Sequence, residues 1–83
     1  MKFLRMKPGH GDVLLAEGDP ASTIDQDRLV DEFRRQLDAG MWAAVPQLDP
    51  STGRRAARLV RDYAEVPVDA DRVIFFPRAA GGS

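Results

Sequence analysis

The chain contains no cysteine, and it has only one histidine, one tryptophan and one tyrosine among its 83 residues. The absence of cysteine excludes a disulfide framework, a thiolate nucleophile and a sulfur-ligated metal site. No segment approaches the ~18 consecutive apolar residues of a membrane-spanning helix. The basic N-terminus runs into Pro8-Gly9 rather than into the apolar core of a signal peptide. These absences predict a cytoplasmic protein that does not contact a membrane.

Charge is nearly balanced overall, with a formal net charge of -1, but it is unevenly distributed. Residues 1–11 carry three basic residues and no acid, residues 12–50 carry nine acids against three arginines, and residues 51–83 carry six arginines against four acids. Separated charges in a weakly acidic chain favour protein partners over nucleic acid, which usually requires a strong basic excess. A nucleic-acid-binding alternative depends on four arginines that would share a helix: Arg54, Arg55, Arg58 and Arg61.

The lone histidine indicates no catalytic or metal site. His10 lies between two glycines in a turn-forming segment, whereas a catalytic triad or a metal site needs several converging groups. Several acids near the start of the predicted helix lack the spacing of a calcium loop, and they are explained as favourable charges at a helix N-terminus. We therefore expect no enzymatic activity, no metal site and no cofactor.

Two apolar runs at residues 3–6 and 13–16 flank a turn-forming cluster and predict an N-terminal β-hairpin. A helix over about residues 24–39 follows, with Thr23 as its cap and Gln26 completing a capping-box pattern. Its apolar stripe has helical spacing and consists of Val30, Phe33 and Leu37, with Leu29 flanking it. Gly40 is the predicted stop signal of this helix.

The second half of the chain is less regular. Residues 41–45 read as a short strand that Pro46 ends, and residues 73–76 are apolar at four successive positions, which predicts a central strand covered on both faces. Residues 54–65 are ambiguous between a helix and a strand. A 3.6-residue period and the local propensities favour the helix, whereas the preceding turn cluster at residues 49–53 favours a hairpin.

The segment at residues 71–82 combines an acidic turn, an apolar strand, Pro77 and a Gly-Gly pair. Taken alone, Gly-Gly-Ser is typical of a frayed terminus or a cloning remnant. Together with the order of elements, however, the segment resembles the C-terminus of the ubiquitin-like β-grasp family, in particular prokaryotic modifiers and sulfur carriers of the molybdopterin-synthase type. The resemblance implies an α+β fold of order β-β-α-β-β-β on a mixed sheet. For this reason we interpret residues 54–65 as a strand.

The resemblance also implies a function. Residues 1–78 would form a single ubiquitin-like domain, and residues 79–83 would form a flexible tail. An adenylating (E1-like) activating enzyme would act on the carboxylate of Gly82. Gly81, which has no side chain, would let the tail enter a narrow channel of that enzyme, and Arg78 would pair with acidic groups on it. The target protein or sulfur acceptor is not specified.

Ser83 departs from the family pattern because it lies beyond the Gly-Gly pair. A processing peptidase could remove it, the serine could be non-native, or the tail could be inactive. In the last case a non-conjugated interaction module of the same fold is the alternative. Trp42 and Tyr63 are each open to two interpretations, core packing or a contact on a partner-binding face. The candidate partner surface comprises Trp42, Tyr63, Arg58 and Arg61.

Overall fold

The computed structural model describes residues 1–7, 9 and 11–78, which form five strands, one α-helix and one short 3-10 helix. The 3-10 helix, Tyr63–Glu65, joins the last two strands. The other elements, in chain order, are β1 (Lys2–Lys7), β2 (Gly11–Glu17), α1 (Thr23–Asp38), β3 (Met41–Leu48), β4 (Arg55–Val60) and β5 (Arg72–Pro77).

The strands form one mixed sheet in the spatial order β2-β1-β5-β3-β4. β1 runs parallel to β5, while the β1–β2, β3–β5 and β3–β4 pairs are antiparallel. With α1 packed on one face, this is a small α+β fold of the β-grasp-like kind, as predicted. The order of elements matches the prediction apart from their boundaries and the added 3-10 helix.

The ambiguous segment is a strand over Arg55–Val60 and then a turn that leads into the 3-10 helix. Its six residues pair with β3 from Ala43 opposite Val60 to Leu48 opposite Arg55. Hairpin pairing therefore prevails over the local helix propensity, because propensity is a weak preference that tertiary contacts override. Residues 61–65, which the prediction included in the strand, lie beyond this pairing.

The core lies between α1 and one face of the sheet and is built around three fully buried phenylalanines. Phe3, Phe33 and Phe75 meet edge to face, with ring centroids 5.4 Å apart for Phe3–Phe75, 5.5 Å for Phe33–Phe75 and 6.2 Å for Phe3–Phe33. Tyr63 lies against this cluster, 6.5 Å from the ring of Phe3 and 6.1 Å from that of Phe33. Edge-to-face contacts of this kind add to the free energy of burial, since the positive edge of one ring meets the negative face of the next.

The ends of α1 follow the predicted logic with a shift of one residue at the start. The N-cap is Ser22, whose hydroxyl accepts a hydrogen bond from the Asp25 backbone N–H at 3.5 Å, so the prediction of Thr23 as the cap is wrong. Gly40 does follow the last turn, with a φ of +89° that strains any residue with a Cβ. Its N–H donates to the carbonyl of Leu37 at 3.0 Å.

Two further expectations need correction. β3 does not end at Pro46 but continues to Leu48. Proline is tolerated there because β5 pairs with β3 only as far as Ala44, which leaves the end of β3 with β4 as its one neighbour. β5 is central, as expected, but α1 covers only one of its faces, so Val73 is buried whereas Ile74 on the other face is half-buried.

Candidate protein interface

The sheet face opposite α1 carries a row of apolar side chains that crosses all five strands. The strand register pairs Leu14 with Leu4, Leu4 with Ile74, Ile74 with Ala44, and Ala44 with Leu59. Leu14 is 53% exposed and Leu59 is 51% exposed, whereas Leu4 and Ile74 between them are half-buried and Ala44 is buried. We call the sheet surface centred on this row the open face.

Side chains alternate between the two faces of a strand, which fixes the membership of the open face. In β5, Val73 and Phe75 point into the core and are fully buried, so Ile74 and Phe76 point the other way. A bulge in the β1–β2 pairing after Phe3 brings Leu14 opposite Leu4. The apolar row therefore depends on this irregularity as well as on alternation.

A second group of large side chains widens the open face toward one end of the strands. Trp42 of β3 pairs with Phe76 of β5, and Met6 of β1 lies in the same row, with 49% of its surface exposed. Asp12 pairs with Met6 and ends this row on β2. Arg61 follows the last paired residue of β4, and it lines a cleft of about 340 Å³ with Trp42 and with Leu37 of α1. The row therefore ends in an acid on β2.

The opposite end of the open face carries charges of both signs. Glu17 of β2 pairs with Lys2, and Lys2 pairs with Arg72 of β5. Arg72 also donates to the carboxylate of its neighbour Asp71 at 3.1 Å. Arg55 of β4 lines a shallow cleft of about 490 Å³ together with Arg72. Basic side chains at this end therefore lie on β1 and on the middle strand β5 as well as on β4, and Glu17 is the acid on β2.

The four residues predicted to form a partner surface do not lie together. Trp42 belongs to the open face, and Arg61 lies in the bend after β4. Arg58 projects from the other face of β4 because its partner across the strands is the buried Val45. Tyr63 lies against the core phenylalanines, and this burial raises the pKa of its hydroxyl above the ordinary value of 10.0. Of the two interpretations left open, contact on a sheet face fits Trp42 and core packing fits Tyr63.

Arg78 is the last described residue and lies at the rim of the open face. The guanidinium of Arg78 stacks over the Trp42 ring, 5.0 Å from its centroid. The backbone N–H of Arg78 donates to the Gly40 carbonyl at 3.4 Å. Gly81, Gly82 and Ser83, which were predicted to form the activated tail, lie outside the described residues, as does His10.

The nucleic-acid alternative loses its structural premise, since its arginines lie on a strand and its flanks rather than on a helix. Alternation along β4 also separates Arg55, on the open face, from Arg58 on the other face. Asp49 in the β3–β4 loop lies nearby, and hydrogen bonds from Ser51 lower the pKa of its carboxyl below the ordinary 3.8.

Sequence reasoning did not identify the leucines of the apolar row as interface residues. A signal for them was present, because consecutive apolar residues in three strands make both faces of the sheet apolar. At residues 73–76 the same pattern predicts a strand covered on both faces, which is the expectation that the structure corrects. Whether a second layer covers the sheet cannot be read from the pattern of the strands themselves.

The architecture and this surface define a small β-grasp-like α+β protein with an open, largely apolar sheet face. No protein-family model, curated protein or solved structure matches the chain. Across residues 1–7, 9 and 11–78, no helix has the length and apolar character needed to cross a membrane. The same residues contain no group of three or more histidine or acidic side chains placed to hold a metal ion.

Proposed function

We propose that this protein is a ubiquitin-like modifier or sulfur carrier of the bacterial cytoplasm, activated through the carboxylate of Gly82. The observation that carries the proposal is the position of the chain where the tail begins. β5 is the middle strand of the sheet, it ends at Pro77, and Arg78 stacks on Trp42 at the rim of the open face. An activating enzyme bound to the open face would therefore contact this protein beside Arg78, where the predicted tail follows in the sequence.

The chemistry follows from the resemblance described above. Cleavage of the peptide bond after Gly82 by a peptidase would remove Ser83 and expose a carboxylate. A carboxylate oxygen would attack the α-phosphorus of ATP, forming the acyl-adenylate and releasing pyrophosphate. A sulfur nucleophile would then attack the acyl carbon and release AMP, which yields a thiocarboxylate in a carrier or a thioester in a modifier. Gly81 and Gly82 present no side chains that would obstruct a narrow channel.

The direct test is the intact mass of the protein recovered from its native cell. The proposal expects a chain that ends at Gly82, either free, as a thiocarboxylate, or joined to another protein. Deletion of residues 81–83 should abolish these products, whereas deletion of Ser83 alone should bypass the peptidase and preserve them. Recovery of Ser83 still attached and unmodified under all growth conditions would refute the proposal.

A second candidate is favoured by a different observation, the exposed leucines of the open face. Contiguous apolar surface on a small domain marks a site of protein interaction, particularly where charged residues surround it. In this candidate the protein is a non-conjugated interaction module that binds another folded protein through the open face. Deletion of residues 81–83 would leave its binding intact, and Leu59→Asp would abolish it. The carrier proposal instead predicts that deletion of residues 81–83 impairs the function of the protein more than Leu59→Asp does.

A further inference from the structure

We infer that the free edge of β4 binds an extended acidic segment of another protein, which adds to the sheet as a further strand. The inference goes beyond both candidate functions, because it concerns the edge of the sheet rather than the open face or the tail. It is carried by the free backbone of this edge and by the arginines in and beside β4, namely Arg54, Arg55, Arg58 and Arg61.

β4 is an edge strand that the helix covers little. It lies at one end of the sheet with β3 as its one strand neighbour, and five of its six residues are exposed. α1 packs mainly against β2 and β3, so it shields the opposite edge of the sheet more than this one. Ala56 and Ala57, on opposite faces of β4, carry only methyl groups. A further strand can therefore approach β4 without displacing large side chains.

The pairing of β4 with β3 determines which backbone groups point outward. At the start of the hairpin the Asp49 N–H donates to the Arg54 carbonyl at 2.8 Å, so the carbonyl of Arg54 is directed toward β3. Successive residues of an antiparallel strand direct their backbone groups alternately toward and away from the partner strand. The outward residues of β4 are therefore Arg55, Ala57 and Leu59. Arg61, next in this series, donates its N–H to the Glu65 carboxylate at 3.1 Å and not to β3. An added strand would thus find three successive outward residues with which to form hydrogen bonds.

Charge determines the kind of segment that fits this edge. Residues 54–61 contain four arginines and no acid. The salt bridges among residues 1–7, 9 and 11–78 involve other arginines. The nearest acids along the chain instead accept hydrogen bonds from backbone N–H groups or from a hydroxyl, and they are Asp49, Asp62 and Glu65. The positive charge of β4 therefore lacks a neutralising partner in the described part of the chain.

The same charge argues against a second copy as the occupant. Pairing of β4 with β4 of another copy would bring two sets of four arginines together, and charged side chains on an edge strand discourage such self-pairing. Opposite charges on neighbouring strands stabilise the pairing, whereas like charges destabilise it. An acidic segment would gain both the backbone hydrogen bonds of the edge and the attraction of the arginines.

The test is an NMR titration of the full chain with a synthetic peptide of alternating glutamate and valine, about eight residues long and blocked at both ends. We expect a dissociation constant of about 1 mM or tighter. The amides of Arg55, Ala57 and Leu59 should shift and exchange their hydrogens more slowly when the peptide is bound. The peptide is a probe of the edge and not the natural partner.

Two variants test the two parts of the argument. Ala57→Pro removes an outward N–H and leaves the bonds to β3 in place, so it should abolish binding. Arg58→Glu should raise the dissociation constant at least about fivefold, because an attraction becomes a repulsion. Arg34→Glu makes the same charge change on the exposed side of α1 and is the matched control, with an expected change of less than about twofold. Urea unfolding confirms that each variant folds.

Absence of binding to the wild type, or shift changes confined to another part of the protein, would overturn the inference. Equal binding of a lysine-valine peptide would show that charge does not select the segment. Equal binding of the glutamate-valine peptide with methylated backbone nitrogens would show that no strand is added, and either result would also overturn the inference. A single-stranded oligonucleotide that displaces the peptide at a lower concentration would identify nucleic acid as the occupant instead. Self-association of the wild type that Ala57→Pro removes would identify a second copy, and the inference would again be wrong.

Discussion

The Phe33→Leu substitution tests the aromatic core, and its effect can be calculated from the contacts of one ring. Phe33 is 1% exposed and meets Phe75, Tyr63 and Phe3 edge to face at 5.5, 6.1 and 6.2 Å. Leucine keeps most of the apolar burial but removes three ring contacts, each worth about 0.5–1.5 kcal/mol beyond area burial. The smaller side chain also leaves a cavity of roughly 20 Å³, which adds about 0.5 kcal/mol.

The three ring contacts share one side chain and are not additive, so we expect a total loss of about 2–3 kcal/mol in the free energy of unfolding. A domain of this size has a total stability of roughly 4–12 kcal/mol, so the variant should still fold. The loss corresponds to a fall in Tm of roughly 10–20 °C. Urea unfolding followed by circular dichroism measures it directly.

Phe76→Leu is the matched control, because it makes the same chemical change on the half-buried open face, one position along β5 from the buried Phe75. We expect the control to lose less than about 1 kcal/mol. If Phe33→Leu loses no more stability than Phe76→Leu, the ring contacts of Phe33 do not contribute measurably to the stability of the core.

Three further results are expected. Tyr63 should ionise above its ordinary pKa of 10.0, because burial disfavours the phenolate. Its contribution to the free energy of unfolding is therefore present below pH 10.0 and is lost as the pH rises through the raised pKa. An ultraviolet titration with a midpoint at or below 10.0 would contradict this. The Asp49 carboxyl should titrate below pH 3.8 by NMR, and its pKa should shift back upward in Ser51→Ala. Its contribution to the free energy of unfolding is present above pH 3.8 and is lost as the pH falls through the lowered pKa. An unchanged pKa in Ser51→Ala would show that the Ser51 hydroxyl does not cause the shift. Gly40→Ala should lower the free energy of unfolding in urea by about 1–2 kcal/mol, because alanine is strained at a φ of +89°. A Cβ at this position would clash with nothing, so the strain alone is measured. An unchanged unfolding midpoint would mean that the turn relaxes without cost.

Local patterns predicted the elements well where a single period dominated. The stripe containing Val30 and Phe33 and the stop signal at Gly40 located α1 to within a residue at each end. Residues 54–65 carried two competing periods, and only the pairing of β4 with β3 settled which one applied. The boundary at Pro46 was misjudged because the consequence of a missing N–H depends on whether a second strand lies alongside.

The candidate interface shows the same division more clearly. Residue type alone makes Trp42 and Arg61 candidates; the structure places Trp42 on the open face and Arg61 in the bend after β4. The same reasoning grouped them with Arg58 and Tyr63, which face elsewhere. Residue type indicates what a side chain can do, but the face on which it lies depends on register, and a shift of one residue reverses it.

Composition and periodicity thus determined that this chain forms one small α+β domain, without cysteine chemistry, around a helix and several apolar strands. These properties are local, because they depend on turn signals and on the spacing of apolar residues over a few turns or pleats. Tertiary structure alone decided which strands flank β5 and that Leu14, Leu4, Ile74, Ala44 and Leu59 align across the sheet. That alignment depends on pairing between segments far apart in sequence, including the parallel pairing of the first and last strands, and no local pattern specifies it.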